Sequence, residues 1–388
     1  MLLNSNSIIN ITSPEVESDK AYHSTIGLER DKMYKVFVKE QSNNFDFYLL
    51  QLTGWHCFES TKLTDVFDNS IIDKIKNKEV LLVIDTSNEA DYEYIDDLYL
   101  HLIIKQQIPE SQILLLVGSP DMATYVKTVA ESLNREPVKV EWFLCFESII
   151  SDSEPPMVNP LKRTSFKKSF INLNRRWRPH RLALTALLYE RGLLDKGYVS
   201  FSNVDIDNRI SWEEAWVEVD SWFLTHPETK TRLTNGRKLI DVLPLYLDTE
   251  NLYINQAYLQ YNGIQNFYTN SYFNVVSETH FMNVKPRFLS EKVFKAMYYR
   301  QPFILASTPN SLELLKKAGY KTFSGLIDES YDLENNDSKR LLMIANEVER
   351  LSNLENSELE HFIKEAYVIC DYNYKMLVNK QIHSYRII

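Results

Sequence analysis

The chain has 388 residues, of which 44% are hydrophobic and 25% are charged, and its formal net charge at pH 7 is −10. These proportions are typical of a globular protein with more than one domain, and they exclude a disordered chain or a single small module. No apolar run approaches the roughly 18 residues of a membrane-spanning helix, and the N-terminus lacks the basic and apolar regions of a secretory signal. We therefore expect a cytoplasmic protein that does not bind a membrane.

Two scarce residue types exclude common kinds of site. The chain has nine glycines, and none of them forms the G-x-G-x-x-G or G-x-x-x-x-G-K-[ST] spacing of phosphate-binding loops. Its three cysteines are far apart, and no histidine has a recognisable zinc spacing, so we expect neither a disulfide framework nor a metal. A phosphate site in this chain must be built from side chains and helix N-termini. We expect no cofactor.

Apolar runs and helical periodicity alternate along the first half of the chain, after a polar stretch of about 25 residues. Strands are predicted at 33–40, 79–85, 112–118 and 138–146, and helices at 95–107 and 121–133. The alternation of the later elements predicts a doubly wound parallel sheet. The proline-containing stretch 147–160 reads as a linker, which gives an N-terminal domain over 1–160 and a C-terminal domain over 161–388.

The second half repeats the alternation. Strands are predicted at 169–173, 198–202, 271–278 and 302–307, and helices at 181–191, 290–300, 310–319 and from about 338. The fold class predicted for the whole chain is α/β, with two Rossmann-like domains facing a central cleft that is the default ligand site.

A basic island lies at the start of the second half. Eight Lys and Arg residues and no acidic residue lie between positions 162 and 181, in an otherwise acidic chain. The turn 174–181 follows a predicted strand and leads into a helix, where Pro179 suits the first helical turn. Arg178 and Arg181 are the candidates to bind a diphosphate, whereas Arg175 and Arg176 are expected to pair with acidic residues.

The second candidate segment is the helix start at 290–292. Ser290 is a natural N-cap, Glu291 can accept hydrogen bonds from ribose hydroxyls, and the mobile charge of Lys292 can reach a diphosphate. The plainer alternative is that Glu291 only complements the helix dipole and that Lys292 is solvated.

This segment resembles the donor-binding part of the alpha-1,3-fucosyltransferases and related GT-B glycosyltransferases. In those enzymes an "fEN"-like strand end is followed by a "YVTEK" helix start and a "P-I/V" strand. The matching stretches are 276–279, 288–292 and 301–304. The resemblance implies that Glu291 holds the ribose, Lys292 the diphosphate, and Glu278 the sugar or ribose side. Thr279 stands where the family usually has Asn.

A second resemblance covers most of the region from 170 to 332. The "LNRRWRPHR" turn, the "EKVFK" to "PF" segment and the later Gly-Tyr stretch look like a set of predicted glycosyltransferases from tailed phages and large DNA viruses. It implies a phage-type enzyme that uses a nucleotide-diphosphate sugar and lies in the host cytoplasm if the chain is viral. The implied acceptor is a glycan or a hydroxymethylated DNA base.

A catalytic base is expected from the N-terminal half, to take the proton of the acceptor hydroxyl. Asp85 and Glu89 near the end of one predicted strand and Asp121 after the next are the candidates, although each could equally cap the following helix. Together these features favour a metal-independent hexosyl- or pentosyltransferase. One alternative is a non-catalytic nucleotide- or DNA-binding module of the same fold. Another is a metal-dependent GT-A-like enzyme that uses Asp205 and Asp207.

Overall fold

A computed structural model describes the chain over residues 8–12, 46–53, 62–65, 67–87, 94–147, 165–174, 176–205, 210–245, 247 and 264–379. The chain divides into two compact units, Met1–Ile149 with Lys380–Ile388 and Ile150–Asn379. Each unit contains one parallel β-sheet.

The first unit is built on a five-stranded sheet. Its elements are β1 (Ile8–Thr12), β2 (Asp46–Thr53), α1 (Asn69–Lys76), β3 (Val80–Thr86), α2 (Tyr94–Asp97, continued by the π-helical Leu98–Lys105), β4 (Ile113–Val117), α3 (Met122–Ser132) and β5 (Lys139–Trp142). The described strands are parallel and lie in chain order from β1 to β5. Strands β1 and β2 were not predicted from the sequence, and the predicted strand at 33–40 lies outside the described residues.

An apolar cluster of the first unit packs on one face of this sheet. Leu82 pairs in register with Ile113, and Ile84 with Leu115, so their side chains share a face and are fully or almost fully buried. Helices α2 and α3 contribute apolar residues to the same cluster. The nearly unbroken apolar sequence of β3 and β4 follows from this burial, because a central parallel strand is covered on both faces.

The second unit is built on a four-stranded parallel sheet. Its elements are β6 (Lys168–Leu173), α4 (Pro179–Glu190), β7 (Gly197–Ser200), α5 (Trp212–Phe223), α6 (Pro227–Gly236), α7 (Ile264–Thr269), β8 (Ser271–Ser277), α8 (Glu291–Tyr298), β9 (Phe303–Ala306), α9 (Ser311–Lys317), α10 (Asp337–Ser352) and α11 (Asn356–Asn379). The strand order is β7-β6-β8-β9.

This order gives the second sheet a topological switch point. The chain passes from β6 to its neighbour β7 and then crosses to β8 on the opposite side of β6. The winding direction therefore reverses between β6 and β8. In open α/β sheets, ligands bind at the carboxyl ends of the strands at such a reversal.

The predicted α/β class with two Rossmann-like parallel sheets is confirmed. Gly192, with a φ of +66°, follows the end of α4 as expected of a helix-ending glycine. The strand predicted at 138–146 is shorter, since it ends at Trp142 and residues 145–147 are helical. No helix in the described part of the chain is long and apolar enough to cross a membrane.

Candidate ligand site at the carboxyl edge of the second sheet

Polar side chains are buried where β6 and β8 end. Asn172 donates from Nδ2 to the carbonyl oxygen of Val275 at 2.7 Å and to the Ser277 hydroxyl at 3.2 Å. Asn174 donates from its own Nδ2 to Oδ1 of Asn172 at 2.7 Å. A carbonyl oxygen can only accept, so the bond to Val275 fixes the orientation of both amides.

This orientation leaves one acceptor of Asn174 without a bond. Its Oδ1 is buried and has no hydrogen-bond partner among the described residues. Burying an unbonded carbonyl oxygen costs free energy, and such a group in a native structure calls for an explanation. A ligand hydroxyl or amino group at this edge would supply the missing donor.

The turn between β6 and α4 is held by an aromatic anchor. Trp177 is buried and donates from Nε1 to the carbonyl oxygen of Ser202 at 3.1 Å. Arg178 is the N-cap of α4 in extended conformation, and Pro179 follows at the first helical turn, as predicted. The Arg178 guanidinium is half-buried, and among the described residues it donates no hydrogen bond. It therefore stands at a helix N-terminus with its donors available to an anion.

Arg181 takes a different position from Arg178. Its side chain is 6% exposed, and Nη2 donates to the carbonyl oxygens of Ser277 and Glu278 at 3.3 and 3.0 Å. Burial and the neighbouring charge of Arg178 lower the pKa of Arg181 to about 10, so it is cationic at neutral pH. Its Nε has no partner in the part of the chain that the structure describes. Arg181 thus joins α4 to the end of β8 and keeps one buried donor unused.

His180 makes the same connection beside it. Its Nε2 lies 3.0 Å from the carbonyl oxygen of Glu278, which can only accept, so Nε2 carries the hydrogen. The imidazole stacks on Phe281 at 5.3 Å between ring centroids. Burial, followed by the charge of Arg181, lowers the pKa of His180 well below its usual value. The ring is therefore neutral and serves as a fixed hydrogen-bond donor.

Glu278 connects β8 to the start of α8. Its carboxylate is fully buried, with Oε1 accepting from the Ser290 N–H at 3.2 Å and Oε2 from the Ser290 hydroxyl at 2.5 Å. The N–H of Thr279 also donates to Oε2, at 3.3 Å. Burial raises the pKa of Glu278, while the charge of Lys292 and the Ser290 bonds act against this rise. The expectation that Glu278 faces the sugar or ribose stays a prediction.

Helix α8 begins as the sequence predicts. Ser290 is its N-cap, and the hydroxyl accepts from the Lys292 N–H at 3.4 Å and from Lys292 Nζ at 2.8 Å. Lys292 Nζ also lies 3.2 Å from Oε1 of Glu291. Burial alone would raise the pKa of Glu291, but the charges of Lys292 and Lys295 outweigh it and lower the pKa to about 2. Glu291 is therefore ionised at neutral pH.

The structure brings all the sequence-predicted donor residues to this edge. They share direct bonds or electrostatic interactions through Glu278, Arg181 and the start of α8, and they are Arg178, Arg181, Glu278, Thr279, Glu291 and Lys292. The sequence did not single out four further residues of this edge, which are Asn172, Asn174, His180 and Lys295. A signal existed for Asn172, since a polar residue inside an otherwise apolar strand indicates a specific hydrogen bond.

The predicted catalytic residues belong to the first unit. Asp85 is fully buried, and its Oδ1 accepts from the N–H of Ser87 at 2.8 Å. Asp121 is half-buried directly before α3. Glu89 lies outside the described residues, as do Arg175 of the basic turn and Asp207 of the alternative metal site. Within the described ranges, no group of three or more metal-ligating side chains could hold a metal ion.

Comparisons with known proteins give likenesses of fold at low identity. No protein-family model matches the chain, and no curated protein matches it. One similar solved structure is a DNA-modifying β-glucosyltransferase studied with and without its substrate uridine diphosphoglucose, at 10% identity and a TM-score of 0.48, covering 96% of this chain and 95% of that one. Another is a glycosyltransferase from Rickettsia africae ESF-5, at 11% identity and a TM-score of 0.39, covering 98% and 81%. Neither likeness assigns a role to a residue of this chain.

Proposed function

We propose that this chain is a glycosyltransferase that moves a sugar from a nucleotide-diphosphate sugar to an acceptor hydroxyl. The observation that carries the proposal is the convergence of two helix N-termini, those of α4 and α8, on Glu278 at the switch point of the second sheet. Helix N-termini bind anions through free N–H groups and the helix dipole, so this edge suits a diphosphate in a chain without a glycine-rich loop.

Different side chains at this edge bind different parts of the donor substrate. Arg178 and Lys292 bind the diphosphate, with Arg178 at the start of α4 and Lys292 in the first turn of α8. Glu291 is ionised and accepts from ribose hydroxyls. The fixed cations also stabilise the negative charge of the departing nucleoside diphosphate, a task that metal ions perform in other glycosyltransferases. The reaction would then need no metal and no cofactor.

Arg181 mainly holds the main chain around this site in place, and it offers one donor to a ligand. Its bonds go to the main-chain carbonyl oxygens of Arg176, Ser277 and Glu278. Its Nε and Oδ1 of Asn174 are buried groups at this edge that are left to meet a ligand. A polar ligand with both donors and acceptors, such as a sugar or a ribose, would satisfy both.

The acceptor is assigned to the N-terminal half of the chain. Asp85, Glu89 and Asp121 are the proposed candidates for the catalytic base, and of the two described, Asp121 has the more accessible side chain. A glycan acceptor suits the acidic surface of the protein. A hydroxymethylated DNA base is the other acceptor, and the basic residues between 162 and 168 would contact its phosphates.

A thermal-shift screen tests the donor site. The protein is melted with UDP, GDP, CDP, ADP and their sugars, each with and without EDTA. A ligand at a hundred times its dissociation constant stabilises by about 2.7 kcal/mol, which raises the midpoint measurably. One nucleotide series should stabilise the protein equally in EDTA, and Lys292→Ala should abolish the shift. Lys317→Ala, which removes an exposed lysine of α9, is the matched control and should keep the shift.

The outcomes separate the proposal from its alternatives. Absence of any nucleotide shift would remove the donor site. A shift that disappears in EDTA would point to a metal-dependent enzyme. A nucleotide shift without sugar transfer to either hydroxymethylated DNA or glycans, measured with a labelled donor, would indicate a non-catalytic binding module.

A further inference from the structure

The start of α8 contains a chain of hydrogen bonds that the donor site alone does not require. We infer that Glu278 is a positioning residue, which acts through the Ser290 hydroxyl to hold the Lys292 ammonium where it meets a ligand diphosphate. This inference rests on the proposed function and names the residues that make Lys292 an effective anion-binding group.

The direction of the hydrogen bonds follows from their chemistry. The Lys292 ammonium can only donate, and the Ser290 hydroxyl has one hydrogen, which it donates to Oε2 of Glu278 at 2.5 Å. The oxygen of Ser290 is then left to accept, and Lys292 Nζ donates to it at 2.8 Å. The order from Lys292 through Ser290 to Glu278 is therefore fixed.

Helix capping alone does not account for this arrangement. The capping bond, from the Lys292 N–H to the Ser290 hydroxyl, is 3.4 Å long, whereas the two side-chain bonds of the same hydroxyl are 2.5 and 2.8 Å. The shorter bonds are the ones that connect Lys292 Nζ to the Glu278 carboxylate. The capping bond is longer than an ordinary N–H···O hydrogen bond, so the two side-chain bonds are the strong interactions of this hydroxyl.

The Glu278 end of this hydrogen-bond chain is buried, whereas the Lys292 end is partly exposed to solvent. Glu278 and Ser290 are buried, so water does not replace their bond, and Glu278 is also held by the N–H groups of Thr279 and Ser290. The side chain of Lys292 is 27% exposed. A lysine has a flexible four-carbon stem and loses conformational entropy when it binds a ligand. An ammonium already fixed by Ser290 and Glu291 loses less of this entropy on binding.

A double-mutant cycle with inorganic pyrophosphate as the probe tests the inference. Affinity is measured by calorimetry for the wild-type protein, Ser290→Ala, Lys292→Ala and the double variant. Ser290→Ala should weaken pyrophosphate binding about tenfold, the value of one hydrogen bond to a charged group. In the Lys292→Ala background the same change should have less than a twofold effect, because Ser290 then has no ammonium to hold. Equal effects in both backgrounds would overturn the inference.

A second measurement needs no ligand. Limiting acetic anhydride acylates accessible amines, and mass spectrometry compares the rate at Lys292 with that at the exposed Lys317. Acylation of Lys292 should accelerate several-fold in Ser290→Ala and in Glu278→Gln, and Ser290→Thr, which keeps the hydroxyl, should restore the slow rate. Unchanged acylation in Ser290→Ala would also overturn the inference, and this variant is decisive even if Glu278→Gln does not fold.

These results keep the two proposals apart. If Lys292→Ala leaves pyrophosphate affinity unchanged while acylation responds as expected, the proposed donor site is wrong. The positioning of Lys292 by Ser290 and Glu278 is then still supported. If Lys292→Ala weakens binding and Ser290→Ala changes neither affinity nor acylation, the donor site stands and the positioning role fails.

Discussion

Arg181 is bonded to the end of strand β8 at Glu278, where its Nη2 donates to the main-chain carbonyl oxygen at 3.0 Å. Arginines that bind phosphate use their guanidinium donors for the ligand, whereas this buried guanidinium donates to the main chain of the protein. The positive charge at this edge is thus part of the folded framework. Arg178 and Lys292 both have accessible surface there.

Replacing Arg181 with lysine should destabilise the protein. An ammonium is a single nitrogen, so it cannot keep the Nη2 bonds to the carbonyl oxygens of Ser277 and Glu278 together with the Nη1 bond to that of Arg176. We expect the free energy of unfolding to fall by about 2 kcal/mol, the range for hydrogen bonds to charged groups. Urea denaturation followed by circular dichroism measures it. An unchanged free energy of unfolding in Arg181→Lys would show that these bonds do not stabilise the fold.

Arg178→Met is the matched variant and should behave in the opposite way. The guanidinium donates no hydrogen bond to the residues that the structure describes, so its loss should change the free energy of unfolding by no more than about 0.5 kcal/mol. The nucleotide-dependent thermal shift, however, should largely disappear because a diphosphate partner is lost. A variant that melts earlier yet keeps the full nucleotide shift would reverse the roles assigned to Arg178 and Arg181.

Asn172→Leu should destabilise the protein, because it disrupts the buried hydrogen bonds between the Asn172 and Asn174 amides and their partners. The substitution leaves Nδ2 of Asn174 without its acceptor and removes the donor to the Val275 carbonyl oxygen. One unsatisfied buried polar group costs about 1–3 kcal/mol, so we expect a destabilisation of at least this size by urea denaturation. Asn335→Ala, at an exposed position just before α10, is the control and should cost at most about 0.5 kcal/mol. Equal effects of the two variants would argue against the network.

The pH dependence of stability should contain a contribution from Asp332. Burial raises its pKa to about 6 although the N–H groups of Ser311 and Leu312 bond to the carboxylate. Between about pH 4 and pH 6 the folded state therefore binds more protons than the unfolded state, so this contribution to stability is present at low pH and is lost as the pH rises. A shift of about two pKa units corresponds to a loss of about 3 kcal/mol.

In Asp332→Asn this loss should be absent, so the difference in unfolding free energy between variant and wild type should change across that pH interval. Urea titrations at several pH values from 4 to 7 measure the difference. Glu329, whose pKa burial also raises, is present in both proteins, and its charge adds to the rise in the pKa of Asp332. A constant difference over the whole interval would contradict the raised pKa of Asp332.

The sequence predicts much of this fold because its signals are local. The apolar runs of β3, β4 and β8 are strands because buried parallel strands need unbroken apolar sequence. Ser290 and Pro179 mark helix starts through hydrogen bonding and fixed backbone geometry, which neighbouring residues alone determine. The strand order cannot be predicted from such local signals, because the reversal between β6 and β8 depends on pairing between strands that are distant in the sequence.

The sequence predicts where the candidate site lies, but it does not predict what each residue does there. Arg178 and Arg181 look alike in the sequence, and only packing shows that one bonds to main-chain carbonyl oxygens while the other is available. Likewise, Ser290 follows Glu278 by twelve positions, and no local pattern indicates a bond between their side chains. These contacts join residues that are distant in the sequence, so neither composition nor periodicity predicts them.

The attachment of both helix starts to Glu278 has a consequence for recognition. His180 and Arg181 at the start of α4 bond to its main chain, and Ser290 at the start of α8 bonds to its side chain. Neither helix can shift at this end without breaking buried bonds. Dipoles and charges that are fixed during folding need little reorganisation when an anion arrives, so recognition here should involve side-chain adjustment rather than helix movement.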